Sequence, residues 1–248
     1  MKLIHGNCLE VMKSIENNSI DMILCDLPYG RTQNKLDVII PFVDLWDAYK
    51  KVIKSNGCIA LFADGLFMAD LMNSNRKMWK YNLVWDKVLV SGFLNANWMP
   101  LRQHEEICIF YNKQPAYNPQ FTQGNPLHGK GTSYMEKELT NNNYGKFGIV
   151  DDRRKGAIEK YPTSIIKFSK PHPSVVKHPT EKSVELCEWL IKTYTNEGDL
   201  VLDNCMGSGT TGVACKNLKR EFIGIELNEK YFEIAKQRIC DYNSHSQN

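Results

Sequence analysis

The run Leu200-Val-Leu-Asp203 has the apolar character of a buried strand, and it enters a glycine turn, Gly207-Ser-Gly209, fewer than fifty residues from the end of the chain. One more strand-like run, Phe222 to Glu226, and one amphipathic stretch, Glu229 to Ile239, follow it. A unit of this size cannot complete a sheet by itself. Strands near the N-terminus must finish it, so the two ends of the sequence have to meet within one sheet.

The N-terminal part carries suitable strands. Lys2 to His5 reads as a short strand, Ile20-Asp-Met-Ile-Leu-Cys25 and Cys58-Ile-Ala-Leu-Phe62 as buried strands, and 81–85 and 106–111 as two more. Helical spacing marks 8–15, 42–54, 66–77, 182–195 and 210–218, with Asn56-Gly57 and Gly198 as stop or turn signals. Strands alternating with helices predict an α/β chain built on a doubly wound, mostly parallel sheet with helices on both faces. The 248 residues leave room for one large domain with an inserted module, but not for two full domains.

Composition changes at Asn112. Residues 113–165 are rich in Asn, Gly, Pro, Lys and Tyr with little periodicity, which predicts an irregular insertion. Residues 113–182 hold twelve Lys and Arg against six Asp and Glu, whereas the remainder of the chain is slightly acidic. With the interleaved aromatics Tyr117, Phe121, Tyr134, Tyr144, Phe147 and Tyr161, that imbalance points to contact with a polyanion. The eight cysteines are scattered without a CxxC pair, which argues against zinc or a disulfide framework and for reduced core residues. No apolar run approaches the length of a membrane span and no signal-like start is present, so a soluble, cytoplasmic protein without a membrane partner is expected.

Gly207-Ser-Gly209 lies where a strand opens into a helix, a place where backbone N–H groups can meet a ligand closely. Glu226 ends the next strand nineteen residues after Gly207, near the spacing at which an acid hydrogen-bonds ribose hydroxyls. The pair points to an adenosine-type cofactor. Threonine, taken to stand at the third glycine of GxGxxG, is read against NAD, and the absence of GxxxxGKS or GxxxxGKT excludes a P-loop.

Asp26-Leu-Pro-Tyr29 follows the buried strand 20–25, at the sheet edge where ligands of open α/β folds bind. The Asp26 carboxylate and the Leu27 carbonyl can accept both protons of an exocyclic amine, and Tyr29 offers a flat ring for stacking on a base. Pro28 stiffens the loop and biases Leu27 toward an extended conformation, which aims its carbonyl. His104 and His178 lack a ligand cluster and are read as hydrogen-bonding scaffolding, and no metal site is expected.

Together the two motifs resemble the amino-methyltransferases that use S-adenosylmethionine to methylate exocyclic amines of DNA bases. The chain is similar to their circularly permuted, or beta, group, in which the catalytic loop precedes the cofactor loop. Gly6-Asn-Cys-Leu-Glu10, Arg102-Gln-His-Glu-Glu-Ile107, His178-Pro-Thr-Glu-Lys182 and Asp203 to Thr211 extend the likeness over most of the chain outside 113–165. The resemblance implies a Rossmann-like methyltransferase fold, with 1–112 as the catalytic half, 113–165 as a target-recognition insert and 166–248 as the cofactor-binding half. Asp26, Leu27, Pro28 and Tyr29 are then the catalytic residues. The implied cofactor contacts are Asn7, Cys8, Asp26, Thr180, Lys182, Ser183, Asp203, Cys205, Gly207, Ser208, Gly209, Thr210, Thr211, Glu226 and Leu227, with Lys182 the cation available to the methionine carboxylate. Lys130, Arg153, Arg154 and Lys155 are the implied contacts to double-stranded DNA.

Several positions depart from the family pattern. Leu27 replaces the usual first proline, Asn7 a usual aspartate, Asn204-Cys205 a common Pro-Phe, and Glu181-Lys-Ser183 the usual Gln-Lys-Pro. Aspartate at the first catalytic position goes more often with adenine N6 than with cytosine N4, which makes adenine the expected target. Cytosine N4, an amine on RNA, a protein glutamine amide, and a noncatalytic DNA-binding module stand as alternatives. A homodimer and a cognate restriction endonuclease acting on the same site are left open as partners.

Overall fold

The computed structural model describes residues 1–31, 37–127, 140, 141, 143, 145, 146, 156–170 and 181–241. Along the chain these form β1 (Lys2–His5), α1 (Cys8–Met12), β2 (Ile20–Cys25), α2 (Phe42–Val52), β3 (Ile53–Ala63), α3 (Gly65–Ser74), β4 (Trp79–Ser91) and β5 (Arg102–Phe110). Four two-residue strands follow: β6 (Thr122–Gln123), β7 (Thr140–Asn141), β8 (Gly145–Lys146) and β9 (Glu159–Lys160). The chain then returns to longer elements in β10 (Ile165–Lys167), α4 (Val184–Tyr194), β11 (Leu200–Asp203), α5 (Thr210–Asn217), β12 (Glu221–Glu226) and α6 (Glu229–Asp241). Two compact units result, one of Met1–Asn118 with Ser164–Asn248 and one of Pro119–Thr163.

The larger unit is an eight-stranded sheet in the order β1-β12-β11-β2-β3-β5-β4-β10. All neighbours are parallel except that β5 runs antiparallel between β3 and β4. β11 takes the C-terminal β12 on one side and the N-terminal β2 on the other, so the sheet is completed as the short C-terminal unit requires. Alternation along the strands divides the core in two. Met22, Leu24, Phe62 and Trp85 pack with α4, α5 and α6, while Ile23, Cys25, Ile59 and Leu61 pack with α1, α2 and α3.

Several bounds differ from the sequence pattern for local reasons. α1 ends at Met12 rather than 15, because Lys13, Ser14 and Ile15 donate backbone bonds to the residues three before them, the tighter 3-10 spacing. β4 extends to Ser91, beyond the short run the pattern marks. β10 is unforeseen from sequence, since only Ile166 of its three residues is buried and no periodicity can show in so short a strand. Of the cysteines expected in the core, Cys25, Cys58, Cys108, Cys187 and Cys215 are buried, Cys8 and Cys205 are half-buried and Cys240 is exposed. The neighbouring Ile239 takes the inward position on α6, leaving Cys240 outside.

In the smaller unit β6 pairs with β9 and β7 with β8, both antiparallel. Phe121 and Tyr161 lie 4.8 Å apart between ring centroids. No helix among the described residues is long and apolar enough to cross a membrane.

Glycine is required at Gly224 of β12, where a Cβ would collide with Met206 Sδ and reach within 2.6 Å of the Phe222 ring. Gly224→Ala should therefore cost about 1–3 kcal/mol through overpacking, read as a lowered urea midpoint at unchanged slope. An unchanged midpoint would show that the strand relaxes freely here.

Candidate active site

The C-terminal ends of β11, β12, β1 and β2 lie along one edge of the sheet, because these strands are mutually parallel neighbours. His5 pairs with Glu226 and Asp203 with Gly224, so the segments that leave these strands emerge together. Two sites are built there, one around the turn after β11 and one around the turn after β2.

After β11, Gly207 and Gly209 adopt left-handed φ angles of 52° and 80°, which lets the chain fold back into α5. Glu226 braces the turn: Gly207 N–H donates to its Oε2 at 2.8 Å and Asn228 N–H to its Oε1 at 2.8 Å. Asp203 does the same from the other side, accepting from Thr211 Oγ1 at 2.7 Å and from Cys205 N–H at 3.1 Å. Ser208 donates to Glu181 at 2.9 Å, and Arg238 of α6 ion-pairs with Glu181 at 2.9 Å while reaching Thr210 Oγ1 at 3.1 Å. Gly212 lies where a Cβ would strike Ile239 and Phe222, so α5 approaches β12 and α6 closely. It stands at the third glycine of a complete G-x-G-x-x-G spacing, Gly207-Ser-Gly-Thr-Thr-Gly212. The reading that this glycine is replaced by threonine is therefore corrected, and that spacing does not separate NAD from other adenosine cofactors.

Asn7 caps α1, its Oδ1 accepting from Leu9 N–H at 2.9 Å. Cys8 follows it, and burial together with the nearby Cys205 thiol, which also neighbours Cys25, pushes the Cys8 thiol up. Asn204, at a position of departure from the family pattern, is buried and accepts from Tyr49 Oη at 2.6 Å. Leu227 leaves its carbonyl 3.0 Å from His5 Nε2. The edge thus offers a glycine turn, an acid at the end of the adjoining strand and a polar cap on α1, a donor and acceptor set that fits an adenosine group.

After β2, Leu27 buries its side chain among the residues under α1, α2 and α3, which fixes the loop backbone in place of a proline ring. Tyr29 donates to Asp26 Oδ1 at 2.9 Å, and its ring stacks on Phe67 at 4.7 Å between centroids. Lys182, just before α4, sits 3.1 Å from Asp26 Oδ2 and 2.9 Å from Glu105 Oε2. Its ammonium also lies 4.9 Å from the Phe62 ring centroid. Lys87 closes the chain of charges, 3.1 Å from Glu105 Oε1. The cation expected to face a methionine carboxylate is thus held between two carboxylates of its own chain.

Burial raises Asp26 above the usual carboxylate range, with Lys182 pulling the other way and Glu105 adding to the rise. Burial also acts upward on Glu105, but the ammoniums of Lys182 and Lys87 outweigh it and leave it below its ordinary value. Burial would lower Lys182, yet Asp26 and Glu105 raise it, so it stays charged. Lys87 and Glu105 were not singled out as site residues from sequence. The signal was present as period-two alternation: Leu83, Trp85 and Lys87 share one face of β4, and Glu105, Ile107 and Ile109 share the same face of β5.

Thr180, His178, Lys130, Arg153, Arg154 and Lys155 lie outside the described residues. Ser183 is buried at the start of α4, and His104 is exposed opposite Asp86. Among the described residues no group of three His, Cys, Asp or Glu is placed to hold a metal ion.

Burial pushes Asp203 up to about 7, against the hydrogen bonds from Thr211 and Cys205 that favour its charge. Its unfolded value is about 4. The stability held by its neutral form is full below the unfolded value and is lost as pH rises through the folded one, about 7. Melting temperatures of the wild type should therefore fall more steeply between about pH 5 and about pH 8 than those of Asp203→Asn. Parallel curves would show that Asp203 does not titrate in this range.

Residues 20–237 match the profile of a family described as DNA methylase. A type II methyltransferase of Lactococcus lactis subsp. cremoris, M2.LlaDCHI, is 49% identical over 260 residues, covering 96% of this chain and 88% of that protein. The DNA adenine methyltransferase YhdJ of Escherichia coli is 25% identical, with 98% of this chain and 83% of that protein covered. Among solved structures, the M1.HpyAVI complex with S-adenosylmethionine superposes at a TM-score of 0.63 with 26% identity, over 96% of this chain and 98% of that one. With the profile spanning both the glycine turn and the Asp26 loop, the chain belongs to the DNA methylase family.

Proposed function

We propose that this chain transfers the methyl group of S-adenosylmethionine to the exocyclic N6 of adenine in duplex DNA, at a defined sequence. The observation that carries this reading is the Asp26 carboxylate, held by Lys182 and Tyr29 at the end of β2, beside the β11 turn and its brace Glu226. Adenine is favoured over cytosine N4 by aspartate at the first catalytic position and by the name of the Escherichia coli relative, a DNA adenine methyltransferase.

The cofactor, when bound, supplies an electrophilic methyl group on a sulfonium. Gly207, Ser208, Gly209 and the Glu226 carboxylate would hold its adenosine end, with Asn7, Cys8 and Cys205 forming the wall of the same edge. Asp26 and the Leu27 carbonyl would accept hydrogen bonds from the two N–H groups of the target amine and so aim its nitrogen lone pair, and one of those protons would leave for solvent once the nitrogen has gained the methyl group. A carboxylate has about four acceptor positions, so Asp26 can take the amine while keeping Lys182 and Tyr29. Its negative charge then offsets the positive charge that develops on nitrogen. Tyr29, backed by Phe67, supplies a rigid ring for the base, which must first leave the duplex at a cost of a few kcal/mol.

Residues 113–165 are assigned to target recognition, with Lys130, Arg153, Arg154 and Lys155 on phosphates or base edges. The basic and aromatic composition of this segment supports the assignment. The counterpart of such an enzyme is a restriction endonuclease that cuts the same site when it is unmethylated.

Asp26→Asn, which keeps the shape and hydrogen-bonding reach of the side chain, should lower methyl transfer to DNA by at least roughly a hundredfold with a much smaller change in cofactor affinity. Tritium transfer from labelled S-adenosylmethionine, with calorimetric titration of the cofactor, measures both. Retained turnover would remove Asp26 from the mechanism, and a wild type that binds DNA without labelling it would favour the noncatalytic module. Arg153→Ala with Arg154→Ala should weaken DNA binding and lower the slope of log affinity against log salt by about one for each phosphate that is no longer neutralised. An unaltered slope would take these arginines off the DNA backbone.

A further inference from the structure

Lys87 occupies a place that lysines avoid. It is 4% exposed, on the face of β4 that also buries Leu83 and Trp85. Its backbone is held on both sides. Just beyond it the regular β4–β5 pairing breaks between Asp86 and Ser91, where Val88 takes a left-handed φ of 64° and donates its N–H to Asp86 Oδ1 at 2.9 Å. On the other side Lys170 N–H donates to Lys87 O at 3.3 Å and Phe168 N–H to Asp86 O at 3.1 Å. So fixed, the strand points this side chain inward.

There the ammonium meets Glu105 Oε1 at 3.1 Å. Glu105 stands on β5 opposite Trp85, and its other oxygen lies 2.9 Å from Lys182, which in turn lies 3.1 Å from Asp26 Oδ2. Four alternating charges thus run from β4 through β5 and the residue before α4 to the loop after β2. Side-chain exposure is 5% at Lys87, 19% at Glu105, 11% at Lys182 and 24% at Asp26, so water screens these pairs weakly. Stability alone does not account for them, because replacing buried ions by apolar side chains of similar volume is often neutral or stabilising. What these charges do that apolar groups cannot is act on Asp26 from a distance.

The sign of that action follows from the order of the chain. Glu105 competes with Asp26 for the Lys182 ammonium and adds a negative charge of its own, while Lys87 offsets Glu105 from behind. The other titratable groups around Asp26 are Tyr29 in its own loop, Cys25 at the end of β2, Asp203 at the end of β11 and Cys187 on α4, with Asp64 before α3 acting on Tyr29. None of these brings a positive charge. Lys182 and, through Glu105, Lys87 supply it.

We infer that Lys87 and Glu105 are positioning residues for methyl transfer: standing behind Lys182, they set how far its ammonium serves Asp26, and with it the pH range in which Asp26 can accept the target amine. The inference rests on the methylation reading above. Removing Lys87 leaves the Glu105 charge without its offset, which draws Lys182 toward Glu105 and makes Asp26 easier to protonate. Removing both leaves Lys182 to Asp26 alone and takes away the nearer negative charge, which makes Asp26 harder to protonate.

The test uses full-length protein and single-turnover transfer of tritiated methyl from S-adenosylmethionine to a duplex containing the methylation site, mapped by single-molecule sequencing of DNA from an expressing host. Measured from about pH 5 to about pH 9, the wild-type rate should rise through an acid limb as Asp26 ionises. Lys87→Met should move that limb up by roughly half a unit to one unit, a three- to tenfold lower rate below it, with the plateau kept within about threefold. Lys87→Arg, which keeps the charge, should leave the limb in place. Lys87→Met combined with Glu105→Gln should move it below the wild-type position. This double variant leaves no member of the chain unpaired, so it decides alone if Lys87→Met does not fold. A limb unmoved in the double variant, or moved the same way in both, overturns the inference, as does a rate lowered equally at every pH, the mark of a purely structural role. A wild type that labels no DNA overturns the methylation reading and the inference with it; one that labels DNA while the limbs stay put overturns the inference alone.

Discussion

The structure depends on the parallel pairing of β11 with β2. Val201 faces Met22 and Leu202 faces Ile23, and through this ladder the two halves of the sheet become one. Without it the glycine turn after β11 and the acidic loop after β2 would belong to separate pieces of chain. With it, a ligand on one turn lies next to a ligand on the other. The point where strand order reverses opens a crevice at the carboxyl ends of the strands, and both turns border that crevice. Strand order thus brings the proposed methyl donor and acceptor sites together before any individual side chain is considered.

Within that crevice the controlling quantity is charge. Asp26 lies mostly inside the protein, where an isolated carboxylate would take up a proton and lose its ability to accept an amine. Lys182 opposes that uptake, Glu105 pairs with Lys182, and Lys87 pairs with Glu105, so each charge faces an opposite one. Such a chain has little tolerance for single deletions, because removing one member leaves its neighbour buried and unpaired. The glycine turn is braced by the same logic with weaker groups: Glu226, Asp203 and the Glu181–Arg238 pair lock its backbone from three sides.

Much of this was legible in the sequence, and unevenly so. The order of the two loops, the strand ends at Asp26, Asp203 and Glu226, and the need for N-terminal strands to finish a C-terminal sheet all follow from runs of apolar residues and the lengths between them. What period and spacing do not carry is the partner of a charged side chain. Lys182, read from sequence as a cation for the cofactor, also lies between Asp26 and Glu105, a relation among three elements that only the folded arrangement can create. Lys87 is the sharper case, because its inward position follows from alternation with Leu83 and Trp85 even though a lysine there looks like surface. Asn204, a departure from the family pattern, became intelligible once Tyr49 was found donating to it from α2.

The pairing of β1 with β12 and of β2 with β11 has a temporal side. These partners are 221 residues apart for Lys2 and Ile223 and 179 for Met22 and Val201, so β1 gains its neighbour β12, and β2 its second neighbour after β3, only through long-range closure. Until then β2, apolar on both faces, has one ladder edge open, a template for wrong pairing. Loops of that length close slowly and favour intermediates in which local units form first. The sheet that brings the two loops together therefore waits on its most distant contacts, and their juxtaposition is reached only once β11 has paired with β2.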